Sequence, residues 1–176
     1  MNVLVIVSHP SIEESVVNRT WVEELKKYPN ITVHELYKQY PDELIDIEME
    51  HKLCEKHDRI VLQFPLYWYS SPSLLKKWQD KVLTYGWAYG SDGNKLNNKE
   101  LILAISTGSA EEKYRAGGLN NYSMSELLKP FQATSNLIGT KFLPAYIFHG
   151  SYQANENEVK RSAEEYVKYI LNENIY

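Results

Sequence analysis

The chain has 176 residues, of which 43% are hydrophobic and 24% are charged, and its formal net charge is -4. These values are typical of one globular domain covering residues 1–176, and they argue against a nucleic-acid partner. The N-terminal segment lacks the basic flank and the apolar length of a signal peptide, and no run of about 18 apolar residues could span a bilayer. Together with the single cysteine, Cys54, these features predict a cytoplasmic protein.

Short apolar runs rich in β-branched residues predict the strands of a parallel sheet that is buried on both faces. The five predicted strands are Val3–Val7, Ile31–Leu36, Arg59–Phe64, Leu101–Ile105 and Phe142–Phe148. The second run alternates apolar and polar residues, which is typical of an edge strand, and Pro144 predicts an irregular start for the fifth.

Between these runs the apolar residues recur with the period of a helix. The first helix follows Ser15, which is placed as an N-cap, and the second begins near Pro72. The third covers Leu127–Leu137 with a bend or delay at Pro130, and the fourth, Val159–Leu171, has the clearest apolar stripe. The predicted fold class is therefore α/β: a flavodoxin-like three-layer sandwich around a five-stranded parallel sheet of order 2-1-3-4-5. Its ligand site lies beyond the carboxyl ends of the strands.

Three segments that follow predicted strands carry candidate ligand-binding residues. Ser8–Asn18 is rich in hydroxyl groups and ends at a helix start, so it suits either a phosphate or a plain capped loop with a solvated His9. Gln63–Pro72 places aromatic rings between two prolines, which suits one face of an isoalloxazine ring or a dimer contact. Ser106–Ser109 is small enough for a planar ligand to approach the backbone. Because these segments follow successive strands, we expect them to form one crevice.

The most specific motifs lie between Gln63 and Gly90. They read Gln-Phe-Pro-Leu-x-Trp-aromatic, then Pro-x-Leu-Leu-Lys-x-Trp, then Gly-Trp-Ala-Tyr-Gly. With these motifs the chain resembles, from about Val3 to Phe148, the NAD(P)H:quinone oxidoreductases of flavodoxin-like fold. It is similar in particular to the short bacterial NAD(P)H oxidoreductases that include the ancillary quinone reductase of glutathione-gated potassium-efflux systems.

The resemblance implies a role for residues at each strand end. The implied flavin-binding residues are His9, Ser15, Val17 and Asn18 on the phosphate and ribityl side, Pro65, Leu66, Tyr67, Trp68 and Tyr69 around the isoalloxazine, and Ser106, Thr107, Gly108 and Ser109 at the opposite flavin edge. The implied catalytic residues are Tyr114, which matches a tyrosine near the flavin carbonyl, and Asn120, which stands by spacing where larger members have a histidine. The implied substrate pocket consists of Trp68, Tyr69, Trp87 and Tyr89, of which Trp87 and Tyr89 match aromatics that reach toward the partner's pocket in the family's dimer. Gln39 matches a residue in a flanking loop.

The same resemblance implies the reaction and the partners. A hydride passes from NAD(P)H through bound flavin to a quinone-type acceptor, in a two-electron ping-pong cycle within a homodimer. FMN is the expected cofactor, and FAD is the alternative if an adenine pocket exists. Asn120 and Ser109 depart from the family pattern, so Tyr114 or solvent is the expected proton source.

Other functions fit parts of the sequence. The chain could be a flavin-binding regulatory partner of a potassium-efflux membrane protein, with secondary reductase activity, or a one-electron carrier, although it lacks the acidic excess expected of the latter. His51, Cys54 and His57 share a helical spacing but have no fourth ligand nearby, so we expect no metal site, and Glu50, Glu55 and Asp58 fit a solvated face. Ser8 and His9 are neighbours without a glycine-flanked nucleophile elbow, which disfavours a serine hydrolase.

Overall fold

Across residues 1–175, which the computed structural model describes, a parallel sheet carries helices on both faces. The strands are β1 (Val3–Val7), β2 (Ile31–Glu35), β3 (Arg59–Pro65), β4 (Glu100–Ser106), β5 (Lys141–Phe142) and β6 (Tyr146–Phe148). The α-helices are α1 (Val16–Leu25), α2 (Leu36–Gln39), α3 (Ile47–Glu55), α4 (Ser73–Val82), α5 (Met124–Leu127), α6 (Lys129–Leu137) and α7 (Glu156–Leu171). Single 3₁₀ turns lie at Ile12–Glu14 and Glu111–Lys113.

The strand order is β2-β1-β3-β4-β5, with β6 also paired to β4, and every pairing is parallel. The predicted order 2-1-3-4-5 is therefore confirmed, with a sixth strand added. In this order the chain leaves β1 toward one edge of the sheet and later continues toward the other. Ligands of open α/β sheets bind beyond the strand ends at such a switch point, which lies here between β1 and β3.

The predicted fifth strand is split into β5 and β6. Leu101 pairs with Phe142 and Ala104 pairs with Tyr146. The chain therefore advances by four residues from β5 to β6, while the paired strand β4 advances by three. Pro144 lies in this gap and has no N–H to donate to the ladder. The extra residue breaks the pairing where the sequence predicted only an irregular start.

The predicted third helix is also divided. Ser123 begins α5 with a capping box that includes Glu126. Helix α6 starts after Leu128 and has Pro130 in its first turn, where a backbone N–H has no hydrogen-bond partner within the helix and its absence loses no bond. Leu137 is 66% exposed, so the prediction that it belongs to the apolar face of this helix is wrong.

The alternation of side chains along β1 separates two hydrophobic cores. Val3, Val5 and Val7 pack toward α1 and α7, where Trp21 and Tyr166 are fully buried. On the other face, the core beneath the remaining helices includes Leu4, Ile6, Phe64, Trp78 and Leu103. Both faces of the sheet are covered, so the segments after the strands are anchored on a rigid base. None of the helices in the described part of the chain has the length and apolar character needed to cross a membrane.

Candidate functional site

The three predicted segments meet in one cleft of about 390 Å³ at the carboxyl edge of the sheet. It is lined by His9, Ser11, Glu14, Ser15, Val16, Val17, Asn18, Pro65, Leu66, Tyr67, Ser106, Gly108, Ser151 and Tyr152. A shallower cleft of about 230 Å³ shares Leu66, Gly108 and Tyr152 with it and adds Trp68, Tyr69, Ser109, Tyr114 and Asn120. The structure therefore brings together most of the predicted site residues.

The first segment leads into the N-terminus of α1. The Oγ of Ser15 accepts a hydrogen bond from the backbone N–H of Asn18 at 3.1 Å, and the Asn18 amide donates to the Oγ of Ser106 at 2.9 Å. The second bond joins the first segment to the end of β4. No acidic residue lies in the first turn of α1, so the positive end of its dipole can hold an anion.

Gln63, the first residue of the predicted segment Gln63–Pro72, is buried beneath the first segment, and no individual role was predicted for it. Its side-chain nitrogen lies 3.2 Å from the backbone oxygen of Asn18 and 3.3 Å from the Asn18 Oδ1. It therefore holds Asn18 against β3. The sequence signal for this role is a polar residue near the end of an otherwise apolar strand core.

The aromatic segment forms a tight turn with an unusual backbone. Tyr67 and Ser70 exchange backbone hydrogen bonds of 3.1 and 2.9 Å, while Trp68 and Tyr69 between them have φ angles of 48° and 62°. Such angles are unfavourable for bulky side chains and cluster at functional sites. The turn leaves the Trp68 side chain 93% exposed at the edge of the shallow cleft.

The end of β4 is held by backbone contacts with the segment after β6. The Thr107 N–H donates to the Phe148 oxygen and the Ser151 N–H donates to the Thr107 oxygen, both at 2.9 Å. The ring of Tyr152 lies directly against Gly108, where a methyl group would overlap it. Ser151 and Tyr152 line the cleft but were not predicted, although they too follow the carboxyl end of a strand.

The two predicted catalytic residues lie in the shallow cleft with Trp68 and Tyr69. The Tyr69 hydroxyl is 3.4 Å from the Oδ1 of Asn120, and the Asn120 Nδ2 is buried without a hydrogen-bond partner within residues 1–175. An unsatisfied buried donor is costly, so this amide is placed to bind an acceptor on a ligand. Tyr114 follows the 3₁₀ turn at Glu111–Lys113.

The two histidines near the clefts are uncharged at neutral pH. Burial lowers the pKa of His9 against the opposing effect of Glu14, and its Nδ1 accepts from the Ser11 N–H at 3.1 Å. Burial likewise lowers the pKa of His149. An anion in the larger cleft therefore depends on N–H and hydroxyl donors rather than on a histidine cation.

Trp87, Tyr89 and Gln39 are not brought into either cleft of their own chain. Trp87 is only 8% exposed, because its indole stacks on His51 and its N–H donates to the Glu55 carboxylate at 2.7 Å. Tyr89 packs edge-on against Tyr85, and Gln39 contacts the sulfur of Met49. The approach of Trp87 and Tyr89 to a partner's pocket stays a prediction.

The acidic residues around His51, Cys54 and His57 do not all form a solvated face. Glu50 is fully buried, so that prediction is wrong for this residue. The His51 Nε2 lies 2.8 Å from the Val82 oxygen, and burial raises the pKa of the Cys54 thiol. His57 contacts Leu53 and Thr32. The described residues contain no group of three or more side chains placed to hold a metal ion.

The chain belongs to the flavodoxin-like family, whose model, described as "Flavodoxin-like fold", matches residues 1–170. The family named from the sequence motifs is thus confirmed. General stress protein 14 of Bacillus subtilis is 64% identical over 170 residues, which cover 97% of each chain. The NAD(P)H oxidoreductase YrkL of the same organism is 55% identical over 97% of this chain and 98% of its own. The glutathione-regulated potassium-efflux system ancillary protein KefG of Cronobacter sakazakii is 39% identical over 96% of this chain and 91% of its own.

Two solved structures are similar over nearly their whole length. General stress protein 14 of Treponema denticola, solved in complex with FMN, has a TM-score of 0.93 at 43% identity and covers 97% of this chain and 98% of its own. An NADPH-quinone reductase of P. pentosaceus has a TM-score of 0.88 at 34% identity, covering 96% of this chain and 97% of its own.

Proposed function

We propose that this protein is an FMN-dependent NAD(P)H oxidoreductase that transfers a hydride to a quinone-type acceptor. The observation that carries the proposal is the pair of adjoining clefts. The N-terminus of α1, the aromatic turn with positive φ at Trp68 and Tyr69, and the loop that contains Gly108 meet there. The relatives named NAD(P)H oxidoreductase and NADPH-quinone reductase, and the relative solved with FMN, support the same activity and cofactor.

The donor set of the clefts fits FMN. The N-terminus of α1, with Ser15 as its cap, suits the phosphate. Gly108 lines both clefts and lets the ring of Tyr152 pack directly on the backbone, and the free Nδ2 of Asn120 suits a ring carbonyl. When bound, FMN supplies the hydride chemistry, and the protein supplies position and electrostatics.

The residues of the shallow cleft bind and orient the other reactants. Trp68, Tyr69 and Tyr152 offer aromatic rings on which a nicotinamide or quinone ring can stack. A cleft of about 230 Å³ suits one such ring at a time. Donor and acceptor therefore occupy it in turn, which is the basis for proposing a ping-pong order.

The single domain of residues 1–176 forms a homodimer in this proposal. Trp68, Tyr85 and Tyr152 are 93%, 70% and 87% exposed, and exposed aromatic side chains of this kind are typical of interfaces. Sedimentation at several protein concentrations tests the dimer, and a monomer at all of them would exclude it.

The activity is tested by following the absorbance spectrum after addition of FMN, then NADPH, then a benzoquinone. We expect bound FMN to be bleached by NADPH and restored by the quinone. Failure to bind FMN would overturn the cofactor assignment. Binding without bleaching would leave the protein as a flavin carrier.

The role of Tyr114 is tested by Tyr114→Phe, which removes only the hydroxyl. We expect FMN to remain bound and its reduction by NADPH to slow by about 100-fold or more, as for loss of one positioned hydrogen-bond donor. Tyr122→Phe is the matched control, because Tyr122 is exposed and lines neither cleft. Equal reduction rates in wild type and Tyr114→Phe would remove Tyr114 from the catalytic set.

A second candidate function is regulation of a potassium-efflux membrane protein, which the similarity to KefG favours. A variant that binds FMN but is not reduced by NADPH separates the two functions. Activation of such a transporter by this variant would make regulation the primary role, whereas loss of activation would make it depend on the reductase.

A further inference from the structure

His149 contacts the candidate site without lining either cleft. It follows β6 directly, and its ring centroid is 5.4 Å from that of Tyr114, with the two planes inclined by 37°. Its Nδ1 is 3.0 Å from the Oγ1 of Thr107, in the loop after β4. The ring therefore joins the loop at one edge of the clefts to the tyrosine in the shallow cleft.

The hydrogen bonds of Thr107 determine which nitrogen of His149 carries the proton. The Thr107 hydroxyl donates to the Ser109 oxygen at 2.7 Å, so its oxygen can only accept from His149. Nδ1 must therefore be the N–H donor, and the uncharged ring has its lone pair on Nε2. Within residues 1–175, Nε2 makes no hydrogen bond, which leaves it free to take a proton.

We propose that His149 is a positioning residue for Tyr114 that also binds a proton at Nε2 when negative charge enters the shallow cleft. The inference rests on the proposed function, because reduction of a bound flavin is the event that brings the charge. The proton comes from solvent, and His149 itself gives up no electrons. Asn120 cannot take this part, because an amide does not titrate.

The charges around His149 make its protonation responsive to the cleft. Glu111 and Glu112 face it from the 3₁₀ turn, but burial outweighs their effect and lowers its pKa, so the resting ring is uncharged at neutral pH. Tyr114 and Thr107 also contact the ring. A new negative charge nearby favours the imidazolium and raises the pKa of His149.

The first test uses nitrogen NMR of the histidine rings in the apoprotein and in the FMN-loaded protein, oxidised and then reduced with dithionite. We expect the apoprotein to show the Nδ1–H tautomer of His149, and reduction to raise its pKa by about one unit or more. His51 is the control, because its ring also lies against an aromatic ring, that of Trp87, but outside both clefts. The pKa of His51 should not change on reduction.

The second test compares His149→Asn with His51→Asn. Asparagine can still donate to Thr107 but cannot titrate. We expect the flavin midpoint potential of His149→Asn to depend less steeply on pH than that of wild type between about pH 5 and 8, whereas His51→Asn keeps the wild-type slope.

The outcomes separate this inference from the proposed function. If FMN does not bind, both are overturned. If FMN binds and is reduced while the pKa of His149 and the slope in His149→Asn stay unchanged, only the inference about His149 is overturned. An Nε2–H tautomer in the apoprotein would also overturn it, since that ring could not accept a proton at Nε2.

Discussion

At the scale of single residues, Glu50 shows how a charged side chain is kept inside this protein. Its carboxylate is fully buried between α3 and α4, where Tyr40 and the Trp78 indole donate to it at 2.6 and 2.7 Å and the His34 Nε2 lies 2.7 Å away. Burial alone would raise the pKa of Glu50, but the interactions with His34, Tyr40 and Trp78 outweigh it and lower the pKa. The native structure therefore holds an ionised carboxylate in its core.

Replacing Glu50 with Gln should destabilise the protein, because an amide N–H would face the donors that now bind a carboxylate. We expect Glu50→Gln to lower the free energy of unfolding at pH 7 by about 3 kcal/mol, measured by urea denaturation. Glu48→Gln is the control, since Glu48 is exposed on the same helix and pairs only with the exposed Lys52, and it should change the free energy of unfolding by less than about 1 kcal/mol.

The same substitution should change the response to acid. The pKa of Glu50 is lower in the folded protein than in the unfolded chain, so its stabilising effect is complete above the unfolded value and is lost as pH falls through the folded value. Between about pH 5 and pH 3, wild type should therefore lose stability more steeply than Glu50→Gln. The same dependence of the free energy of unfolding on pH in the two proteins would contradict the lowered pKa of Glu50.

Gly108 provides a prediction about the cleft itself. A methyl group there would displace the ring of Tyr152, which is 87% exposed and free to move, so Gly108→Ala should fold normally. The narrowed cleft should weaken FMN binding by about tenfold, the equivalent of a modest overpacking cost. Quenching of FMN fluorescence measures this affinity, and wild-type affinity in Gly108→Ala would mean that the flavin does not approach this backbone.

At the scale of elements, the helix N-termini show what local sequence determines. Ser15 begins α1 and Asp46 begins α3, and each side chain accepts a hydrogen bond from the N–H three residues later, at 3.1 and 3.0 Å. The two caps are alike in geometry, but only Ser15 lines a cleft. Comparing variants of Ser15 and Asp46 therefore separates the effect of losing a helix cap from the effect on ligand binding.

Ser15→Ala and Asp46→Ala should each lower the free energy of unfolding by about 1 kcal/mol, the usual cost of losing an N-cap. Only Ser15→Ala should also weaken FMN binding, because the helix start that it caps is the proposed phosphate site. Chemical denaturation and FMN titration of both variants test this. A similar loss of FMN affinity in both would point to a general effect of helix fraying.

At the scale of the whole molecule, the sheet order determines where the ligand binds. The covered sheet brings the ends of β1, β3, β4 and β6 to one edge, and the clefts are built from the segments that follow them. A ligand that bridges these segments binds the native state but not the unfolded chain, so it raises the free energy of unfolding of the whole domain.

FMN should therefore raise the melting temperature in a concentration-dependent way. At about 100 times its Kd, FMN adds about 2.7 kcal/mol, which corresponds to a shift of about 5–10 °C for a chain of this size. Riboflavin, which lacks the phosphate, is the control and should give a smaller shift at the same concentration. Equal shifts would indicate that the α1 N-terminus does not hold the phosphate.

The sequence by itself determined the first four strands, helices α1, α4 and α7, the strand order and three of the segments that form the site. These depend on local patterns: an apolar run such as Val3–Val7, a cap such as Ser15, and motifs that mark the family. The tertiary structure decided what depends on side chains far apart in the chain. It placed Glu50 among its donors, turned the Trp87 indole inward onto His51, and brought Tyr152 onto Gly108 and His149 onto Tyr114. No local pattern encodes such contacts, because each partner is selected only when the sheet and its helices pack together.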